Sequence, residues 1–561
     1  MNKKLGYKVL ALALSAVSVA SVAACGGTEV VGGGDKTKTQ LHISAYESGY
    51  GTDWLESYAR DFEERYKDKS FENGKTGVEV SVNWNADSYA NVIGKIAVST
   101  NAIYLNNVNY FEVANSGLAM DLTDVLAEPL TEFNEEASIV SKLDQQQKDY
   151  YTSLDGKYYG IPSYETYEGI YYDMDLFEDP SYGGFYLAEG GGYTTGVNGA
   201  PAKSKGPDNE VGTYDDGMPV TFDEFFALLD RMVSRNVIPF VWTGLYTYAD
   251  MLTGALWENN AGDEMKINFT FDGTATDLVT VSKGVVTPIG DTKITPENGY
   301  MLQKSESIYR ALEFVRKLVN NDSYYYVESF SKSFSHIGAQ ERYLYSRFDA
   351  TSKPIAFLVE GSYWQSEARG IFNSINSEYA QNDEYSFENR RYGMMAIPFY
   401  SNEVAAKRNY QQTTVANSQT MFVKKDLSEG VKNAATTFVK YMYSQDMLKR
   451  FLIDTHFTWG VKFDLTPEEK AELPAFALAS YEKKTTSNVL YPYSTSKFWM
   501  KNYTKNLKWW PSGNYAFQAT SLNSEYTNPV YNFQENSKLT PEQYFNAMST
   551  TMTNRWKQVS Y

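Results

Sequence analysis

The stretch LHISAYESGYGTDWLESYARDFEERY, residues 41–66, decides the fold class at the start of the folded chain. Residues 41–45 predict a short buried strand, and the glycine-containing residues 47–51 predict a turn. Apolar residues then return at helical spacing, and Asp53 stands where it is able to cap the helix. These apolar residues are Trp54, Leu55, Tyr58, Phe62 and Tyr66. The stretch therefore predicts a strand, a turn and an amphipathic helix in close succession.

The same alternation continues in the next part of the chain. Residues 78–82 predict a second strand, residues 88–99 a helix, and residues 102–105 a third strand. Strands that alternate with helices are typical of an α/β layer around a mostly parallel sheet. Ligands of such sheets gather at the carboxyl ends of the strands, which here are residues 46–51, 84–85 and 106–107.

A series of short motifs follows in the middle of the chain. The turn DGKYYGIP occupies residues 155–162, and YYDMDLF occupies residues 171–177. PVTFDEF begins a predicted helix, with Thr221 as its N-cap and Glu224 as the capping-box partner. The later motifs are IPFVW at 238–242, AFLVEGSYW at 356–364, YGMMAIP at 392–398 and AATTFVKYMYS at 434–444.

In this order, the motifs resemble those of the extracellular solute-binding proteins of sugar ABC transporters (family 1), the group that contains maltose-binding protein. Asp173 stands where the group usually has asparagine, which is a mild departure. The resemblance implies an α/β, two-lobed periplasmic-binding-protein fold of type II-like architecture. It also implies a ligand cleft between the lobes and crossing strands that act as a hinge. Such proteins close around a ligand, which shifts an open–closed equilibrium.

The resemblance also implies an interleaved domain organisation. We expect an N-terminal lobe formed by residues 40–163 plus 410–455 and a C-terminal lobe formed by residues 164–409 plus 456–561. Residues 180–215 and 258–300 fit the motifs least, and we interpret both as insertions.

The first residues form a charged, then apolar, then small-residue segment that is typical of a secretory signal. It ends at Cys25, the chain's single cysteine, and resembles a lipobox whose cysteine carries the lipid. We therefore expect a lipoprotein signal peptide at 1–24 and a flexible tether at 25–39. The alternatives are an ordinary cleaved signal with a chance cysteine and an uncleaved anchor, for which the apolar run is short. Lipidation of Cys25 implies a location on the outer side of the cytoplasmic membrane, at a Gram-positive surface or in a periplasm.

Composition agrees with an exported globular protein. Hydrophobic residues make up 42% of the 561 residues, which supplies material for large cores. The net charge of −18 argues against nucleic acid as a partner. With one cysteine the chain forms no internal disulfide, so the core must stabilise the fold alone. Tyrosine and tryptophan suit sugar surfaces as well as cores, because each has an apolar face and a polar edge.

Candidate ligand-binding residues come from the strand ends and from the family resemblance. Aromatic rings stack on the apolar faces of a sugar, while carboxylates and amides bind its hydroxyls. For each tryptophan the alternative is core packing, and for each acid it is an exposed loop charge. The candidates are Glu47, Trp84, Asn106, Asn107, Glu165, Trp242, Tyr363, Trp364 and Trp499.

Catalysis has no comparable motif in the sequence. The histidines His42, His336 and His456 are far apart and show no metal-ligand spacing, so we expect no metal, no cofactor and no catalytic residue. The leading hypothesis is a monomeric carbohydrate-binding subunit, membrane-attached through lipid, that delivers an oligosaccharide to ABC permeases. The alternatives are a binding protein or sensor for a non-sugar solute and a surface enzyme that acts on glycans.

Overall fold

A computed structural model describes residues 34–85, 92–108, 110–244, 246–348, 351–379, 383–408, 410–491, 517–522 and 528–559. The strands are β1 (Thr39–Tyr46), β2 (Val78–Asn85), β3 (Ile103–Asn106), β4 (Ile161–Thr166), β5 (Glu168–Asp173), β6 (Tyr186–Leu187), β7 (Tyr193–Thr194), β8 (Ile238–Val241), β9 (Gly273–Ala275), β10 (Val279–Ser282), β11 (Val285–Pro288), β12 (Thr292–Ile294), β13 (Ile355–Gly361), β14 (Tyr392–Met394), β15 (Gln412–Thr414), β16 (Asn417–Val423) and β17 (Asn488–Leu490).

Helices surround these strands along the whole described chain. They are α1 (Asp53–Arg65), α2 (Val92–Ile96), α3 (Tyr110–Asn115), α4 (Thr123–Ala127), α5 (Gln145–Tyr151), α6 (Met174–Phe177), α7 (Phe222–Ser234), α8 (Tyr246–Ala261), α9 (Ile267–Thr270), α10 (Glu306–Val319), α11 (His336–Tyr345), α12 (Trp364–Glu367), α13 (Arg369–Tyr379), α14 (Asn402–Lys407), α15 (Glu429–Met442), α16 (Gln445–Thr455), α17 (Pro467–Ala471), α18 (Ala475–Thr486), α19 (Pro529–Glu535) and α20 (Pro541–Trp556). Short 3-10 turns lie at Thr131–Phe133, Val140–Lys142, Pro180–Tyr182, Gly262–Lys266, Gly299–Lys304, Asp322–Tyr324, Val327–Phe330 and Thr520–Leu522. No described helix is both long and apolar enough to cross a bilayer.

The chain divides into two compact units, each built from separate segments. Unit 1 comprises Met1–Asp144, Tyr151–Ser163 and Gln419–Leu448. Unit 2 comprises Gln145–Tyr150, Tyr164–Ser418 and Lys449–Tyr561. Two of the passages between units fall inside strands, one in β4 and one in β16. The lobe boundaries and insertions expected from the sequence stay predictions.

Unit 1 is organised around a five-stranded sheet in the order β2-β1-β3-β16-β4. β1 runs parallel to both β2 and β3, and β16 runs antiparallel to β3. The carboxyl ends of β1 and β3 therefore lie at one edge, together with the amino end of β16. α1 buries the predicted apolar stripe, and the ring of Phe62 packs edge-on against Phe438 at 5.0 Å. The prediction that Asp53 caps this helix is wrong: Thr52 is the N-cap, and Asp53 is the first helical residue.

Unit 2 contains a four-stranded sheet in the order β14-β5-β13-β8. β13 is parallel to β8 and antiparallel to β5, with Gly361 opposite Glu168. α7 begins with the predicted capping box, which is confirmed in both directions between Thr221 and Glu224. Aromatic side chains fill the core beneath the sheet, and Phe240 and Phe357 lie 5.0 Å apart.

The two segments that fit the motifs least form small separate sheets within unit 2. β6 and β7 pair as a hairpin in one segment, while β9–β12 and β10–β11 form two antiparallel pairs in the other. Glu542 of α20 accepts hydrogen bonds from the backbone N–H groups of Lys283 and Gly284, at the tip of the β10–β11 pair. These two hydrogen bonds attach the β10–β11 pair to α20, the last described helix.

Candidate functional site

Asn106 ends β3 at the carboxyl edge of the unit 1 sheet and is fully buried. Its Nδ2 donates a 3.4 Å hydrogen bond to the carbonyl oxygen of Ser44. Its Oδ1 accepts no hydrogen bond from any described residue. A buried acceptor without a donor is costly, on the order of 1–3 kcal/mol, so this oxygen is a candidate contact for a ligand hydroxyl.

Gln419 repeats this arrangement on the neighbouring strand. Its Nε2 donates to the carbonyl oxygen of Tyr46 at 3.1 Å, and its buried Oε1 has no donor within the described chain. Thr420, the next residue, is the register partner of Asn106. We call Asn106 and Gln419 the amide edge of unit 1. Sequence reasoning missed Gln419, although a glutamine at the start of the apolar run TMFV was a usable signal.

Glu47 and Trp84 lie at the same strand ends but are engaged locally. Glu47 is exposed, and its Oε1 accepts a 2.7 Å hydrogen bond from the Gly51 N–H, which closes the turn after β1. The Trp84 indole is partly exposed and donates to Glu56 of α1 at 3.1 Å. Asn107 is also partly exposed. The structure thus brings these three to the edge that holds Asn106, and a ligand role for them stays a prediction.

Glu165 belongs to a buried ion pair in unit 2. It is fully buried, and its Oε1 accepts a 2.6 Å hydrogen bond from Lys484 Nζ and another from the Tyr167 hydroxyl. Lys484 also donates to the carbonyl oxygen of Trp459 at 2.6 Å. The ion pair engages one carboxylate oxygen, while the buried Oε2 has no hydrogen-bond partner among the described residues. A ligand role for Glu165 therefore stays a prediction.

Trp242 and Trp364 are core residues in this structure. Trp242 is buried against Tyr325 and Phe330, with ring centroids 5.6 and 5.4 Å away. Trp364 is fully buried and packs edge-on against Tyr392 at 5.1 Å. Neither indole has a face open for stacking on a sugar, so the core alternative describes both rings. The remaining predicted positions, Cys25 and Trp499, lie outside the described residues.

Four carboxyl groups in unit 2 lie near the end of the sheet where β5 begins and β13 ends. We call them the acid cluster. Glu168 begins β5, Glu360 lies near the end of β13, and α8 packs against both strands. α8 carries the other two acids, Asp250 and Glu258. Asp250 is 2% exposed and Glu360 is 1% exposed, whereas Glu168 is partly exposed.

Asp250 is the least satisfied member of the acid cluster. Neither of its buried carboxylate oxygens has a hydrogen-bond partner among the described residues. Burial, followed by the negative charge of Glu168, raises the pKa of Asp250 well above its ordinary value. Its charge also contributes, after burial, to the raised pKa of Tyr544, which donates to the carbonyl oxygen of Phe517. Both effects favour the protonated form of Asp250 more than in a solvent-exposed aspartate.

The other acids of the cluster are shifted in the same direction. Burial raises the pKa of Glu168 to about 7. Burial and then the charge of Glu168 raise the pKa of Glu258 to about 8. Burial, followed by the charge of Glu367, raises the pKa of Glu360 well above its usual range, against hydrogen bonds from Gln340 and the Gly361 N–H.

Two tyrosines border this cluster. Burial, followed by the charge of Glu360, raises the pKa of both Tyr248 and Tyr363, and Glu168 contributes in the same direction. A Cβ at Gly361 would collide with the ring of Tyr363, so this glycine makes room for the aromatic side chain. Tyr363 is thus a predicted site residue that the structure places beside the acids, partly exposed. Its role in binding stays a prediction.

Few cations balance the acid cluster in the described chain. Burial lowers the pKa of Lys483 to about 8, although the charge of Glu258 acts in the opposite direction. His336 lies 3.5 Å from Glu367, and that contact raises the pKa of the imidazole. The cluster therefore keeps an excess of acidic groups over cationic ones.

Sequence reasoning missed Glu168, Asp250, Glu258 and Glu360. With 69 acidic residues in the chain, no single acid stands out by type alone. Glu360 did carry a signal, because it interrupts the apolar strand run IAFLV at 355–359 just before a turn. Asp250 and Glu258 carried none, since only the fold brings α8 beside β5 and β13.

A separate cavity of about 700 Å³ in unit 2 provides a contrast. There Arg310 has acidic partners, with Glu306 at 2.8 Å and Glu313 at 2.7 Å. Asp250 has no such partner among the described residues. Among all the described residues, no group of three or more histidine, cysteine or acidic side chains is arranged so that it could hold a metal ion.

Comparisons with known proteins agree with this two-unit architecture. The model of the family described as bacterial extracellular solute-binding protein matches residues 58–477. No curated protein sequence matches the chain.

Solved structures share the fold at low identity. The apo form of RafE from Streptococcus pneumoniae aligns with a TM-score of 0.51 and 14% identity, covering 94% of this chain and 100% of that one. RafE in complex with raffinose aligns with the same TM-score of 0.51 and 14% identity, over 92% and 100%. A probable secreted solute-binding lipoprotein from Streptomyces coelicolor gives a TM-score of 0.51 at 11% identity, over 92% and 99%.

Proposed function

This chain belongs to the bacterial extracellular solute-binding proteins, and we propose that it captures a carbohydrate for an ABC importer. The observation that carries the proposal is the pair of strand ends with buried, unsatisfied acceptors: the Asn106 oxygen in unit 1 and the Asp250 carboxylate in unit 2. Sugar hydroxyls are the donors that such atoms lack. The raffinose complex of RafE, which has a similar fold, supports a saccharide as the ligand class.

We propose that the bound sugar is an oligosaccharide and that the protein itself is not an enzyme. Membrane permeases would receive the sugar, and ATP hydrolysis would occur in other subunits. The expected closure of two lobes on the ligand stays a prediction. Raised carboxyl pKa values also occur in glycan-cleaving enzymes, so the test must measure turnover as well as binding.

The test is a thermal-shift and calorimetric screen of the purified chain against mono- and oligosaccharides. We expect a Tm increase and a saturable binding isotherm for at least one oligosaccharide. Chromatography of the recovered ligand should show it unchanged after prolonged incubation. Released products would replace the proposal with the glycan-active enzyme, and a screen with no binding sugar would favour a non-sugar solute or a sensor.

We further propose that Cys25 is lipidated and attaches the protein, as a monomer, to the outer face of the membrane. The supporting observation is the leader that ends at this single cysteine. The full chain should partition into the detergent phase after expression in a lipoprotein-processing bacterium and should incorporate labelled palmitate. Cys25→Ser should move it to the aqueous phase, and detergent partitioning of that variant would contradict the proposal.

A further inference from the structure

We propose that the acid cluster of unit 2 selects a ligand that carries a protonated amine, specifically an amino sugar with a free amino group. The inference rests on the proposed carbohydrate role and specifies the chemistry of one end of the ligand.

The first support is charge balance. Glu168, Asp250, Glu258 and Glu360 form the cluster, because α8 carries Asp250 and Glu258 and packs against both β5 and β13. Glu360 lies one register position from the pair of Gly361 and Glu168. Among the described residues, two nearby cations have acidic partners outside the cluster: Lys484 pairs with Glu165, and His336 contacts Glu367. The buried Lys483 forms no described ion pair with the cluster, and the charge of Glu258 acts on it only as an effect smaller than burial. An ammonium group would supply the positive charge that this arrangement lacks.

The second support is the hydrogen-bonding state of Asp250. Both oxygens are buried, and in the described part of the chain neither receives a hydrogen bond. A sugar hydroxyl donates one hydrogen and brings no charge, whereas an ammonium group donates three and brings a full charge. Hydrogen bonds between ionised partners are about twice as strong as neutral ones. The amine therefore fits this carboxylate better than a hydroxyl does.

The third support is the border of the cluster. Glu168 and the rings of Tyr248 and Tyr363 are partly exposed, so a ligand is able to approach from their side. Tyrosine faces attract cations through the ring quadrupole. One face of Tyr248 stacks on the imidazole of His336, with ring centroids 5.9 Å apart. The acids and the remaining tyrosine surface would therefore surround a bound ammonium group.

The test compares three trisaccharides that share a β-1,4 backbone and differ at carbon 2. Chitosan trimer carries amines there, chitotriose carries acetamides and cellotriose carries hydroxyls. Glucosamine, galactosamine and mannosamine, each paired with its neutral parent sugar, extend the comparison beyond this linkage. Calorimetry should show at least one amine probe binding tenfold or more tightly than its neutral counterpart. Asp250→Asn should abolish that preference, while Glu341→Gln, which removes an exposed acid on α11, should retain it.

Proton counting gives a second readout. An ammonium group stabilises the ionised carboxylates, so binding should release protons, measured as a dependence of the binding heat on the buffer's ionisation enthalpy. Neutral sugars that bind as tightly as amines, amine binding without proton release, or no amine binding at all would each overturn the inference. Neutral sugar binding alone would leave the proposed function intact. Binding of spermidine without any saccharide would remove the proposed function and support only a cationic ligand.

Discussion

The strand ends of the two units present different polar chemistry on similar α/β frameworks. The amide edge of unit 1 offers neutral oxygens, from Asn106 and Gln419, whose amide nitrogens already donate to the backbone. The acid cluster of unit 2 offers carboxyls, of which Asp250 has no described partner. Amides keep one state at every ordinary pH, whereas the carboxyls respond to pH and to ligand charge. The two strand ends therefore differ in whether their polar groups respond to charge and pH.

The largest expected effect is on stability. It tests whether Trp364 in unit 2 is a core residue, which leaves the acids as the candidate ligand contacts there. Trp364→Ala should lower the free energy of unfolding by about 3–5 kcal/mol, because the fully buried indole packs against several rings. Chemical denaturation measures this loss, and calorimetry on the folded fraction should show little change in Kd. Trp364→Phe, the milder control, should lose less stability. Unchanged stability with weakened binding would make the tryptophan a ligand contact after all.

The next effect is on affinity at the acid cluster. Asp250→Asn should weaken binding of the identified ligand by about 10- to 100-fold, equivalent to a charged hydrogen bond of about 1.5–3 kcal/mol. Calorimetry measures Kd, and Glu341→Gln in the same unit serves as the matched control. Equal affinities for the parent and Asp250→Asn would place the ligand elsewhere.

A smaller effect is expected at the amide edge. Asn106→Leu keeps a similar volume but removes the neutral acceptor, so affinity should fall about 3- to 10-fold. Asn101→Leu is the control, because Asn101 is also buried but is bonded to Ser99 and Asn83 within the protein. If the control lost as much affinity as Asn106→Leu, the effect would reflect sheet stability and the contrast between the two edges would fail.

The smallest effect is a pH dependence that only the acid cluster should show. Asp250 has a raised pKa in the folded state, so above its ordinary pKa the unfolded chain ionises while the folded group stays protonated. This linkage makes the folded state lose stability as pH rises, and asparagine removes the loss. The Tm of Asp250→Asn relative to the parent should rise by about 2 °C between pH 5 and pH 7.5. A Tm difference between the two proteins that does not change with pH would mean that the pKa of Asp250 is not raised in the folded protein.

Local pattern predicted much of the framework but little of the site. Hydrophobic spacing predicted β1, α1, β2 and β3, and the Thr221–Glu224 capping box was confirmed because each signal acts within a few residues. The ordered motifs predicted the family, which the match over residues 58–477 confirms. Asn106 was predicted from its position at a strand end, although its unsatisfied oxygen became visible only in the structure.

The acid cluster could not be predicted from the sequence, and the reason is physical. Whether a carboxyl group is paired depends on partners far away in the chain. Glu165 and Asp250 look equivalent as sequence letters, yet Glu165 meets Lys484, 319 residues away, and Asp250 meets no described donor. The ligand role expected for Trp242 and Trp364 was uncertain for a related reason. The motifs IPFVW and AFLVEGSYW predict the strands but not the side on which each indole is buried.

The interleaving of the two units constrains the order in which the chain is able to fold during synthesis. The residues of β16 that pair with β3 in the unit 1 sheet, 420–423, follow the whole of Tyr164–Ser418. The first sheet therefore stays incomplete, with β3 lacking this neighbour, until most of unit 2 has left the ribosome. Such non-local pairing slows folding and exposes unpaired strand edges.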